Sequence, residues 1–134
     1  MIDIESDVFG LVAKELRSKV NPIYITGVYV KAPPQFPCVT VVEIDNRPVI
    51  STQTAESMEN HVSVTFEVNV YSNKTDGKKR ECKSIIGIID EILLNLGFNR
   101  LMLQPIQNEL DATIHRMVAR YSGVVSRDKV IFRG

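Results

Sequence analysis

The sequence predicts an α+β fold: a mainly antiparallel β-sheet with two α-helices packed on one face, in the order αβββαβββ. Three observations predict it. In "VSVTFEVNVY", Val62, Val64, Phe66, Val68 and Val70 alternate with Ser63, Thr65, Glu67, Asn69 and Tyr71, the period of a strand with one face on a core. In "CKSIIGIIDEILLNLG", Cys82, Ile85, Ile86, Ile89, Ile92, Leu93 and Leu96 fall on one broad helical stripe. The other β-rich runs are short and bounded by turn residues, and one further helical stretch opens the chain.

That first helix is read from Ile4, Val8, Leu11, Val12 and Leu16, with Asp3, Glu5 and Asp7 early and Lys14, Arg17 and Lys19 late, a charge order that suits the helix dipole. Asn21-Pro22 stops it, because the residue before proline is pushed from helical angles. "IYITGVYVKA" is a strand or a short hairpin broken at Gly27, "PPQFP" a stiff connector, and "CVTVVEI" a second strand. Residues 45–60, "DNRPVISTQTAESMEN", show no period and are expected as a long polar loop or as an arm reaching a neighbouring subunit. After the Val62–Val70 strand, Thr75 or Asp76 is expected to cap the long helix, with Gly77 bending the chain into it and Gly97 ending it. "NRLMLQPI" is a short strand ending at Pro105, and "DATIHRMVARYSGVV" a longer one that pairs with "KVIFR" across residues 126–129.

Length and composition fit one domain over residues 1–134. With 44% hydrophobic and 24% charged residues, the chain reads as an ordinary soluble globular protein with a real core. Sixteen basic residues balance sixteen acidic ones, so no global field draws nucleic acid or an anionic membrane. No apolar run approaches the ~20 residues of a membrane span, and "MIDIESDVFG" lacks the basic start and apolar stretch of a signal peptide. Cys38 and Cys82 form no CxxC pair and are expected as buried thiols.

The chemistry-bearing residues do not assemble into a catalytic set. "YSNKTDGKKREC" has the outline of a phosphate loop, a strand leading to Gly-Lys and a helix. It lacks the second glycine, and Arg80 rather than a hydroxyl residue follows Lys79. Its lysines are expected in solvent. His61 and His115 are the only histidines, and neither stands at metal-ligand spacing. No serine has a GxSxG setting. Glu43 and Asp45 are expected to point the same way along a strand, without further support for acid–base work. The reading is therefore of a protein that is not an enzyme and holds no cofactor or metal. Arg116 and Arg120 share a strand face four positions apart, which fits a solvated face, a polar subunit interface or a DNA-facing lining.

Three stretches carry a resemblance: "VTVVEIDN", "FEVNVYSNKTDGKKRECKSIIGIIDEILLNLGFNR" and "NELDATIHRMVARYSGVV". In this order they resemble the tail terminator, or tail-completion, proteins of long-tailed bacteriophages and prophages, with "YSN" at Tyr71–Asn73 and "LGF" at Leu96–Phe98 as fold markers. The resemblance spans residues 3–133 in layout and is sharpest from Phe66 to Val125. It implies an α+β subunit that closes into a ring, commonly a hexamer. The ring caps the tail tube, ends its polymerisation and joins the tail to the head connector, with genomic DNA passing transiently through the lumen. It also implies a place in the virion tail or neck after synthesis in the bacterial cytoplasm. Asp111, Thr113, Arg116 and Arg120 match the family-like strand and are candidates for interface or lumen roles. A ring repeats one heterologous interface, so each subunit needs two complementary patches. Glu43, Asp45, Glu56 and Glu59, in or beside the 45–60 stretch, are the acidic candidates opposite Arg116 and Arg120. Another neck connector ring, or a small α+β binding domain or enzyme, are the competing expectations.

Overall fold

The computed structural model describes residues 1–50, 60–107 and 111–132. Helix α1 (Glu5–Lys19) and strands β1 (Tyr24–Thr26), β2 (Cys38–Pro48) and β3 (His61–Ser72) come first. Helix α2 (Lys78–Leu96) follows, then β4 (Asn99–Ile106), β5 (His115–Ser126) and β6 (Ile131–Phe132). The strands form one sheet in the order β1-β2-β3-β5-β4, with β6 also on β5. Every described pairing is antiparallel except β1 with β2, which is parallel. The fold is α+β, as the sequence predicts.

Both helices lie on the face that β3 lines with Val62, Val64, Phe66, Val68 and Val70, all fully buried. Each such side chain contributes roughly 1.5–3 kcal/mol of burial, so this single strand supplies much of the core. Helix α1 buries Val8, Val12, Ala13 and Leu16, and α2 buries Cys82, Ile85, Ile86, Ile89 and Leu93. Phe98 closes the core edge-on to Phe66, with ring centroids 5.6 Å apart. The Tyr121 hydroxyl donates to Asp90 Oδ1 at 2.9 Å, tying β5 to α2. Gly97 ends α2 in the left-handed region at φ 112°, its N–H donating back to Leu94.

The structure departs from the sequence expectations in five places. Strand β2 continues through Pro48, so the first four residues of the expected 45–60 loop are strand, paired with Val62–Thr65. Residues 51–59, Glu56 and Glu59 among them, lie outside the described residues. The run after Pro22 yields only the three-residue β1, with Val28 and Tyr29 beyond it exposed. Neither Thr75 nor Asp76 caps α2: the cap position is Gly77, left-handed at φ 89°, with no side-chain bond. Ser72 works there instead, donating to Glu81 Oε1 at 2.7 Å and accepting the Lys74 N–H at 3.3 Å. Strand β4 runs past Pro105 to Ile106, because it pairs with β5 alone and a missing N–H on the open side removes no ladder bond. Finally, a bulge between Glu43 and Asp45 shifts the register, so these two carboxylates do not point the same way. Glu43 opposes core-facing Phe66, whereas Asp45 opposes Thr65 on the other face.

Candidate functional site

The face of the sheet away from the helices mixes apolar residues such as Val42, Val118 and Met102 with polar ones, and its centre is a polar network across β3 and β5. Alternation along β3 sends Glu67, Asn69 and Tyr71 there, and the β3–β5 register sets Glu67 opposite Arg120 and Tyr71 opposite Arg116. Arg120 Nε and Nη2 both lie 3.0 Å from Glu67 Oε2. Arg116 Nε and Nη2 donate to Asn69 Oδ1 at 3.0 and 2.8 Å, and its guanidinium lies 5.4 Å from the Tyr71 ring centroid. Asn69 Nδ2 donates in turn to Glu67 Oε1 at 3.1 Å, and the Tyr29 hydroxyl reaches that oxygen at 3.5 Å. Glu67 and Asn69 are buried, so the network is a fixed part of the fold. Burial raises the pKa of the Tyr29 hydroxyl, and the charge of Glu67 adds to it; burial raises that of Tyr71 against the pull of Arg116.

The arrangement can order a surface. Charge-assisted bonds hold two arginines at fixed spacing in the middle of the sheet face that carries no helix. Glu67, Asn69 and Tyr29 are the residues that sequence reasoning passed over. The available signal was an acid and an amide inside a strand whose other face is entirely apolar. Such groups are retained only with partners, and Arg116 and Arg120 lie on the one strand that could supply them.

The other candidates lie apart from this network. Asp45 is held by Arg47, Nε to Oδ2 at 2.8 Å. Glu43 lies by the start of α1, where its N–H donates to Glu5 Oε2 at 2.9 Å. Its Oε1 is buried without a hydrogen-bond partner. Burial first, then the charges of Glu5, Asp3 and Asp45, push the Glu43 carboxyl up to about 7, with a side-chain bond to Asn46 opposing them. Asp111 accepts from the Thr113 N–H at 2.9 Å and its hydroxyl at 2.6 Å; these bonds hold its pKa low in a local turn before β5. Among the described residues, therefore, the structure joins Arg116 and Arg120 but not the acidic candidates to them.

No group of three or more His, Cys, Asp or Glu residues that could hold a metal occurs among the described residues. Cys38 and Cys82 are free and buried, and desolvation raises their thiols to about 11 and about 12. His115 is partly buried at the start of β5. Burial lowers its pKa, and Lys79, Lys78 and Lys83 lower it further. No described helix is long and apolar enough to cross a membrane. Neither a protein-family model nor a curated protein matches the chain.

Proposed function

We propose that the chain is a structural subunit of a long-tailed bacteriophage or prophage that closes into a ring, commonly a hexamer. The ring caps the tail tube, ends its polymerisation and presents the joining surface for the head connector. On this reading the subunit catalyses nothing and needs no cofactor. It acts in the virion tail or neck after synthesis in the bacterial cytoplasm, and its partners are its own copies, the tail tube protein and the connector. Genomic DNA passes through the lumen without being held.

The observation that carries the reading is the helix-free sheet face with its Glu67–Arg120 and Asn69–Arg116 bonds. A rigid face with a bonded polar centre suits a protein that works by contact, and it sits on the stretches that resemble tail terminators. The first test is solution mass by light scattering over a range of concentrations, followed by negative-stain imaging. Ring-sized particles that also block elongation of purified tail tubes are the expected result. Rings that bind the portal side and leave tubes free to grow would move the protein to the neck connectors. Turnover of a small substrate without assembly would overturn the structural reading.

A further inference from the structure

The long axis of the sheet carries opposite charge at its two ends. Helices α1 and α2 run antiparallel: Leu11 lines a groove with Ile92 and Asn95, while Val20 lines one with Arg80 and Ser84. The start of α2 therefore lies at the end of the molecule where β3 finishes, and the start of α1 lies toward the other. At the first end, residues 74–83 hold Lys74, Lys78, Lys79, Arg80 and Lys83 against Asp76 and Glu81. None of the five cations makes an ion pair among the described residues. Lysines and an arginine in the first turn of a helix oppose its dipole, so this placement weakens α2 rather than supporting it. The depression of His115 by Lys79, Lys78 and Lys83 registers the same positive field.

At the other end, Asp3, Glu5 and Glu43 gather around the first turn of α1, also without an ion pair among the described residues. Asp45 and Asp7 nearby are already paired, with Arg47 and Lys129. Phe66, opposite Glu43, and Ser72, where β3 ends, are six residues apart, roughly 20 Å along a strand. That exceeds the ~8 Å screening length at physiological salt, so the two ends cannot neutralise one another within one chain.

We propose that the basic start of α2 seats on the acidic start of α1 in a second copy of this chain. The inference rests on the ring reading and names its repeating contact: two different patches on one subunit, as a heterologous interface requires. The charges would set partner and register and speed encounter, while neighbouring surface completes the contact.

The test is the mass of the full chain by light scattering at low and high salt, for wild type and charge-reversed variants. Lys79→Glu with Lys83→Glu alters only exposed side chains and should stay folded by circular dichroism. Wild type should assemble at 50 mM salt into multiples of 15.1 kDa and dissociate at 0.5 M. The double variant should remain at 15.1 kDa, its association weakened at least tenfold. Asp3→Lys with Glu5→Lys should do the same, and mixing the two variants should restore association, because each then offers what the other lost. If the variants assemble like wild type, this contact is wrong and the ring reading stands. A wild type that stays monomeric at every salt and concentration, and on tail tubes, would overturn both.

Discussion

Replacing Glu43 by Gln should stabilise the protein at neutral pH and do little in acid. The carboxyl has one oxygen buried without a partner, and burial first, then the charges of Glu5, Asp3 and Asp45, raise its pKa from 4.5 to about 7. Below pH 4.5 the group is protonated both folded and unfolded, so it imposes no penalty. Between pH 4.5 and 7 the unfolded chain ionises first, and the native state loses stability as pH rises; above 7 the loss is complete. The full lift is worth at most about 3.4 kcal/mol, and solvent around this partly open group reduces that to about 1–2 kcal/mol. Urea unfolding of both proteins at pH 4.5, 6 and 7.5 reads it directly. The variant should gain on wild type by that amount from the lowest pH to the highest. A difference that does not change with pH, or a wild type more stable than the variant at pH 7.5, would mean that a cation holds Glu43 ionised and would refute the reasoning.

Arg120→Ala should lower stability by about 2 kcal/mol, because it strands the buried Glu67 carboxylate with only neutral donors, Asn69 and Tyr29. Glu67→Gln combined with Arg120→Ala should recover part of that loss, and additive losses in this cycle would show the pair to be uncoupled. Gly97→Ala should cost about 2 kcal/mol or more, since φ is 112° and an added Cβ would sit 2.8 Å from the Ile131 carbonyl oxygen; an unchanged melting temperature would contradict the turn geometry. Cys38 and Cys82 should resist a thiol reagent at pH 7.5 until urea unfolds the chain, and prompt labelling of the native protein would contradict their burial. If α2 of a second copy seats on Glu43, Glu5 and Asp3, its lysines should pull the Glu43 pKa down. Association should then tighten from pH 5.5 to 7.5 in light scattering, and Glu43→Gln should flatten that trend.

The elements were legible where one chain segment decides its own fate. The alternation of Val62 to Val70 fixes a face whatever pairs with it, and the Cys82–Leu96 stripe needs only one apolar surface to lie on. What could not be read depends on neighbours. The bulge that parts Glu43 from Asp45 exists only in the pairing of β2 with β3, so the sequence of either strand is silent about it. Strand β2 runs on into "DNRP" because Val62–Thr65 are there to pair with it, against the poor strand propensity of those residues. Local pattern placed Arg116 and Arg120 on one face, but their partners are 47 and 53 positions away, beyond any local signal.

Those partners change which residues are free to join subunits. An arginine already bonded to a buried carboxylate or amide must give up that bond before it can serve a second chain. Breaking it leaves the buried Glu67 without its cation, or Asn69 Oδ1 without its donor. Arg116 and Arg120 are better suited to holding β3 and β5 in one shape than to choosing a neighbour. Among the described residues, charge without an ion pair is available instead at the start of α2 and, in Asp3 and Glu5, at the start of α1, where a partner could replace the solvent. A subunit built this way separates the two demands. Its sheet face is satisfied within the chain, and on the proposed ring reading the exposed charges at its ends are what a second copy would meet. Because exposed charges associate weakly without a dehydrated surface between them, the proposed assembly should loosen on dilution and as salt rises, and a site that concentrates subunits should favour it.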